Sequence, residues 1–209
     1  MLSCGYSEAG LTSPISEESF KPATIHNADE EVFDPSVRNS FIAPLSQLAR
    51  QDSIVGKTVQ CLESRALSFQ GWPAHSYIEP LYTQKYVPGG HYSLHYDWGS
   101  ANKNARREST FMVYVSASGD GGFEGGGTWF PRLSSPVSEE CGNDSQWCEY
   151  IECGGQREGV TFRPKAGRAV FWRNFDANGM GYKELIHAGL EVKKGVKVGL
   201  NIWTWYYRS

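Results

Sequence analysis

His95-Tyr96-Asp97 and the distant His187 are the residues of this chain whose types and spacing could do chemistry. Two imidazoles and one carboxylate are the donors that hold a non-haem Fe(II) on one face and leave the opposite face open. The spacing has a geometric reason. In a strand, residues i and i+2 point to the same side, so His95 and Asp97 can grip one ion while Tyr96 points away. His187 must then come from a different strand brought alongside. Lys197 follows it, and then Asn201-Ile202-Trp203. A His-X-Asp triple alone is weak, because most such triples are accidents of surface or core. The ordered residues around it give it weight.

Those side chains need a frame to hold them. With 23 Gly, 7 Trp, 11 Tyr and 10 Phe, the composition suits aromatic strands joined by tight turns. Residues 1–34 read as a polar N-terminal segment packing on the domain, with a loose strand around Phe20–Ile25. Ser46 to about Phe69 carries Leu48, Val55, Val59, Leu62 and Leu67 at near-helical spacing, and the helix should stop at Gly71-Trp72-Pro73. From there the pattern changes. Tyr82–Val87, His91–Asp97 and Ser109–Ser116 read as strands, with Pro88-Gly89-Gly90 as a turn. The glycine-dense run Gly119–Gly127 lacks the Gly-Lys-Ser/Thr of a phosphate loop and reads as a turn. Val160–Arg163 and Arg168–Trp172 look like a hairpin. Ile186–Leu190 and Lys197–Trp205 supply the last strands. No internal repeat is visible. A helix or two followed by many short strands predicts a mainly β fold, a barrel or sandwich buttressed by flanking helices. Residues 35–209 form one domain, with a polar, cysteine-bearing insert near 134–159.

Bulk properties exclude some functions. At 209 residues the chain is long enough for one domain with a real core. A formal charge of -3 argues against a nucleic-acid partner, which would favour a basic surplus. No apolar run approaches a membrane span. The first residues lack the basic and apolar regions of a secretory signal, which leans toward the cytoplasm. The five cysteines include no Cys-X-X-Cys pair, so they are not a zinc pattern. Cys141, Cys148 and Cys153 cluster in the insert. They are either reduced thiols or a disulfide, and a disulfide would imply an oxidising compartment.

The ordered motifs resemble the prolyl 4-hydroxylase-like branch of the Fe(II)/2-oxoglutarate dioxygenases. The resemblance covers roughly Pro35 to Trp205. Tyr86-Val87-Pro88-Gly89-Gly90-His91-Tyr92-Ser93-Leu94-His95-Tyr96-Asp97 is similar to the family's strand carrying Tyr, Pro-Gly, Tyr and His-X-Asp. Arg107-Glu108-Ser109-Thr110 with Tyr114 resembles the next strand. Gly125-Gly126-Gly127-Thr128-Trp129-Phe130-Pro131 is similar to its Gly-Gly-X-Thr-X-Phe-Pro turn. Pro164, Gly167 and Ala169 match its Pro-X-X-Gly-X-Ala pattern. His187-Ala188-Gly189 and Gly195-Val196-Lys197 match its close.

The resemblance implies a double-stranded β-helix, or jelly-roll, barrel. It implies Fe(II) held by His95, Asp97 and His187, with 2-oxoglutarate and O2 as cosubstrates and ascorbate as a supporting reductant. Lys197 would pair with the distal carboxylate of 2-oxoglutarate, and Tyr86 and Thr128 would share it. The reaction would release succinate and CO2 while an unactivated C–H bond is oxidised. Tyr92, Arg107, Asn201, Trp203 and Trp205 would lie on the substrate side. Tyr92 lies three positions before His95, an odd offset, so a bulge would be needed to turn it inward.

Trp205 is a departure. Peptidyl-proline hydroxylases of this branch often carry histidine at that position. The indole points to an aromatic entrance built from Trp203, Trp205 and Tyr92. It favours a small or hydrophobic substrate, a free amino acid or metabolite, oxidised by hydroxylation or by desaturation or ring closure. Peptidyl-proline is the alternative. A catalytically silent jelly-roll binding module is the alternative of another class.

Overall fold

The computed structural model describes residues 17–27, 30–45, 50, 53–99, 105–137, 146–154 and 157–207. In chain order its strands are β1 (Lys21–Pro22), β2 (Ile25–Asn27), β3 (Glu30–Val32), β4 (Arg38–Asn39), β5 (Phe41–Pro44), β6 (Ser76–Ile78), β7 (Tyr82–Tyr86) and β8 (His91–His95). They continue as β9 (Ala105–Ser118), β10 (Glu124–Gly125), β11 (Thr128–Phe130), β12 (Val160–Phe162), β13 (Ala169–Arg173), β14 (His187–Gly189), β15 (Val192–Lys194) and β16 (Val196–Tyr207). One sheet runs β1-β5-β7-β16-β9-β13, with β6 paired to the far end of β16. A second runs β12-β11-β14-β8-β4. Consecutive partners come from distant parts of the chain and pair antiparallel, as in a jelly roll.

Alternation in the long strands builds the layers. On β16, Ile202 and Thr204 are buried on one face, while Trp203 turns to the other. Leu200 and Ile202 meet Val59 and Ala66 of helix α1 (Ile54–Phe69), together with Leu45 and Leu81. Fully burying side chains of this kind is worth about 1.5–3 kcal/mol each, so this layer anchors the helix. Ser53 caps the helix, its hydroxyl accepting from the Gly56 amide at 3.1 Å. Gln70 closes the other end. Its amide donates to Thr204 Oγ1 at 2.8 Å and accepts from Ser109 Oγ at 2.6 Å, which fastens the helix to β16 and β9. Between the two sheets lies a second cluster of Met112, Tyr114, Phe130 and Trp172, beside the chemical residues.

The structure departs from the sequence reading in three places. Helical periodicity starts at Ser46, yet the described helix begins at Ile54; residues 46–49 and 51–52 lie outside the described residues. Val160–Arg163 and Arg168–Trp172 do not form a hairpin. β12 pairs with β11 in one sheet and β13 with β9 in the other, so the turn between them crosses the barrel. Pattern alone cannot distinguish these cases, because both strands alternate alike and only their partners differ. The strand predicted over His91–Asp97 ends at His95, and Asp97 opens a short 3-10 turn.

The N-terminal segment adds β1 to the edge of the first sheet by pairing with β5. In the insert, Cys148 and Cys153 form a disulfide, whereas Cys141 lies outside the described residues. The described helix, α1, is not long and apolar enough to cross a membrane.

Candidate active site

β8 and β14 lie side by side with His95 opposite His187. The register slips between this pair and the next, Tyr92 opposite Gly189, so β8 carries one extra residue. That bulge turns Tyr92 to the same side as His95, and the two rings stack with centroids 3.7 Å apart. The turn at Asp97 brings its carboxylate between the imidazoles. Asp97 Oδ1 lies 3.7 Å from His95 Nε2 and 3.8 Å from His187 Nε2. One donor atom from each of the three residues falls within 4.8 Å of the others.

Hydrogen bonds set which atoms face the centre. His95 Nδ1 lies 2.8 Å from the Ser93 carbonyl, and His187 Nδ1 lies 2.9 Å from the Leu185 carbonyl. Each Nδ1 therefore carries the proton, leaving Nε2 with a free lone pair for a metal. Asp97 Oδ2 accepts from Thr110 Oγ1 at 2.7 Å and from the Trp203 indole at 3.1 Å. Oδ1 is thus left to the ion. Burial pushes the His95 imidazole down to about 3, so it is neutral at ordinary pH. Burial alone would raise the Asp97 carboxyl, but the two imidazoles and the Thr110 bond hold it below its usual range. Phe130 and Trp172 pack on His187, with ring centroids 5.1 and 5.0 Å away.

Lys197 is only 1 % exposed. Its ammonium donates to the Gly126 carbonyl at 2.8 Å and sits 4.4 Å above the Tyr86 ring. Burial pulls its pKa down to about 7. Leaving an ammonium desolvated costs several kcal/mol, and one carbonyl and one ring face do not offset that. The residue is suited to an anionic partner delivered by a ligand. A narrow cleft runs from His95 and His187 to Lys197, walled by Tyr86, Thr128 and Asn201. The Thr128 hydroxyl accepts from Tyr114 at 2.7 Å, and Tyr86 donates to Gln84 at 3.0 Å. A group with an oxygen-chelating end and a distal carboxylate fits this donor set.

A matching family model identifies that group. It describes the 2OG-Fe(II) oxygenase superfamily and covers residues 81–205, more than half of the chain. The chain belongs to the 2OG-Fe(II) oxygenase superfamily. The family's cofactors are Fe(II), 2-oxoglutarate and O2, and His95, Asp97 and His187 could hold the metal. The chain is 28% identical over 141 residues to the prolyl 4-hydroxylase subunit alpha-3 of Homo sapiens, a match covering 63% of this chain and 20% of that protein. It is 27% identical over 151 residues to prolyl 4-hydroxylase 5 of Arabidopsis thaliana, covering 70% of this chain and 48% of that one. The chain thus spans less than half the length of either relative. Among solved structures it is similar to a viral collagen prolyl hydroxylase from Paramecium Bursaria Chlorella virus-1 in complex with 2OG. That match has TM-score 0.57 and 26% identity, and covers 81% of this chain and 80% of that one. A Pseudomonas putida prolyl-4-hydroxylase shares the fold at TM-score 0.53 and 15% identity, over 92% of this chain and 79% of that chain.

Beside His95 and Asp97 opens a cavity of about 810 Å³, lined by Tyr92, Arg107, Asn201 and Trp203 among others. Its outer rim includes Thr24, Ile25 and Glu31 from the N-terminal segment. Asn201 lines both spaces. Trp205 is the expected lining residue that does not reach the wall. It lies further along β16, over the stretch paired with β6, where its ring stacks on Tyr77 and its indole N–H donates to Glu79. The anticipated aromatic entrance is therefore Tyr92 and Trp203 interleaved with Arg38, Arg107 and Glu31.

Sequence reasoning gave no role to Thr110, Gln84, Arg38 or Glu79. Thr110 lies opposite Trp203 on the neighbouring strand, and that cross-strand pairing is what delivers both donors to Asp97. His91, by contrast, shares its side of the strand with His95 by count only. It bridges the Gly89 and Ser36 carbonyls on the outside.

Proposed function

We propose that the chain is an Fe(II)- and 2-oxoglutarate-dependent oxygenase that hydroxylates prolyl residues of a peptide. The reaction class rests on one observation: Nε2 of His95, Nε2 of His187 and Oδ1 of Asp97 converge at one end of a cleft whose other end is the buried Lys197. When bound, iron and 2-oxoglutarate would supply the oxidising chemistry: 2-oxoglutarate would lose CO2 and take one atom of O2 to become succinate, and the other atom would enter the C–H bond. The protein's own work is placement. Ser93 and Leu185 fix the imidazole tautomers, Thr110 and Trp203 aim the carboxylate, and Lys197 with Tyr86 and Thr128 receives the distal carboxylate. A silent binding module would have no use for all of these together.

Support for a peptide comes from the relatives, named as prolyl hydroxylases, and from the breadth of the cavity. Its rim mixes apolar and charged side chains, as a chain of amides requires. The second reading, a small or hydrophobic substrate such as a free amino acid or metabolite, is favoured by the Tyr92 ring stacked on His95 and by the absence, at Trp205, of the histidine that peptidyl-proline hydroxylases often carry. Incubation with Fe(II) and 2-oxoglutarate, with succinate and product mass as readouts, separates them. Blocked proline-rich peptides should gain one oxygen. Turnover of free amino acids or lipophilic metabolites, with peptides inert, would select the second reading. Absence of succinate under all conditions would return the chain to a binding module. The Cys148–Cys153 disulfide supports an oxidising compartment as the site of action, and thiol alkylation of protein from its source tests this.

A further inference from the structure

The geometry points to Glu79 and Trp205 as positioning residues that neutralise Arg107 and fix it as a flat plate over Trp203, so that this end of the cavity takes a neutral part of the substrate and not a carboxylate. The inference rests on the proposed function only in calling the occupant a substrate. Its starting point is a chain of contacts. Glu79, just beyond β6, receives Arg107 in a two-pronged pair, Nε to Oε2 at 2.9 Å and Nη2 to Oε1 at 2.9 Å. The Trp205 indole N–H donates to the same Oε2. The Arg107 guanidinium carbon then lies 3.8 Å from the centroid of the Trp203 ring and 5.8 Å from that of Trp205. Trp203 in turn holds Asp97 Oδ2.

Each link has a chemical consequence. A guanidinium held by a carboxylate through two parallel bonds has its charge balanced and its plane set. Stacking on an indole fixes the remaining freedom. Both Arg107 and Glu79 are largely shielded, at 17 and 22 % exposure, so the pair is only weakly screened by solvent. Arg107 lines the cavity beside Asp97 and Trp203, whereas Trp205 stands behind it. The departure at Trp205 therefore acts at second hand. Its single donor orients Glu79, where an imidazole could also have accepted a proton or reached a ligand. Arg38, the other cation of the cavity, donates to Ser40 Oγ and the Thr24 carbonyl and lies over Tyr92, at the N-terminal rim. Charge preference at the Arg107 end can thus be read separately by altering Glu79.

Quenching of tryptophan fluorescence by iodide, an anion, against acrylamide, a neutral molecule, tests this on the whole chain without knowledge of the substrate. Glu79→Gln should free the Arg107 charge and raise the iodide-to-acrylamide ratio about twofold, because iodide gathers beside Trp203. Trp205→Phe should raise it by a smaller amount. The double variant Glu79→Gln with Arg107→Gln should return to the starting ratio. Unfolding would also raise the ratio, because it opens to iodide indoles that acrylamide already reaches, so thermal unfolding is measured for each variant and the return of the ratio in the double variant separates the two causes. A ratio unchanged in Glu79→Gln, with thermal unfolding intact, overturns the inference. A raised ratio in a protein that forms no succinate would keep the Glu79 lock and remove the oxygenase reading instead. Among turnover substrates, the preference for N-acetylprolinamide over N-acetylproline should shrink in Glu79→Gln.

Discussion

Lys197 carries the sharpest expectations at the scale of single residues. Its alanine variant should raise the 2-oxoglutarate requirement by the worth of a hydrogen bond to a charged partner, about 1.5–3 kcal/mol, while metal affinity is kept. Titration of succinate formation against 2-oxoglutarate measures this, and an unchanged requirement would place the distal carboxylate elsewhere. The depressed pKa adds a pH dependence. Without cosubstrate, the folded value of about 7 lies below that of an unfolded lysine, so the unfolded chain holds more protons across that window. This group therefore costs stability in full below pH 7, and the cost fades as pH rises toward the unfolded value. A bound carboxylate favours the ammonium, so binding above pH 7 must take up a proton and weaken as pH rises. Calorimetry at pH 8 in buffers of different ionisation enthalpy should show uptake approaching one proton; none would mean the lysine is already charged. Thr110 gives an independent test. Thr110→Val removes one of two donors to Asp97 Oδ2 and should weaken metal binding by about 10–100-fold, the usual effect of losing a group that orients a ligand. Equilibrium dialysis with Mn(II) reads it without turnover.

At the scale of elements, the site depends on one irregularity and one rivet. The bulge in β8 is what turns Tyr92 onto His95. The rivet is Gln70. Its side chain satisfies Thr204 and Ser109, which are 0 % and 1 % exposed. Gln70→Ala should strand both hydroxyls and loosen α1 from the sheet that carries Trp203. Each unsatisfied buried group costs about 1–3 kcal/mol, and rotation of a hydroxyl toward a backbone carbonyl lowers the total. A loss of about 2 kcal/mol in urea unfolding is the expectation. A loss indistinguishable from zero would mean that the helix is held by its apolar face alone.

Across the whole molecule, the insert after β11 is tied back to β12, the outer strand of its sheet. Tyr150–Glu152 continues the edge of β12, with Glu152 N donating to the Thr161 carbonyl and Arg163 N to the Tyr150 carbonyl. Ile151 is buried against that edge at 2 % exposure. The Cys148–Cys153 disulfide closes the loop around it. Removing both cysteines should lower stability by about 2 kcal/mol on loop-closure grounds and expose the segment to protease. Denaturant unfolding and limited proteolysis check this. Equal stability of the two proteins would show that the edge pairing alone holds the insert.

The sequence alone determined the donor set and the class of fold. Residue type, glycine and proline at turns and the order of motifs carry these, and the resemblance to a known family adds Lys197, Tyr86 and Thr128 as the expected partners of the distal carboxylate. His95, Asp97, His187, Tyr86, Thr128 and Lys197 could all be named that way, and they meet around one cleft. Tertiary structure alone decided which strand lies against which. Parity counted from His95 put Tyr92 on the wrong face, and an inserted residue put it right. Alternation put Trp205 on the face of Trp203, and both indoles meet Arg107, but the pairing of β6 with the end of β16 sets Trp205 against Tyr77 and Glu79 and off the cavity wall. Two alternating strands read as a hairpin belong to opposite sheets. Thr110 and Glu79 have no local signature, because their roles arise from partners across the sheet and near β6. Register and crossover are set by the summed packing of both faces, so they are not written in any one segment of the chain.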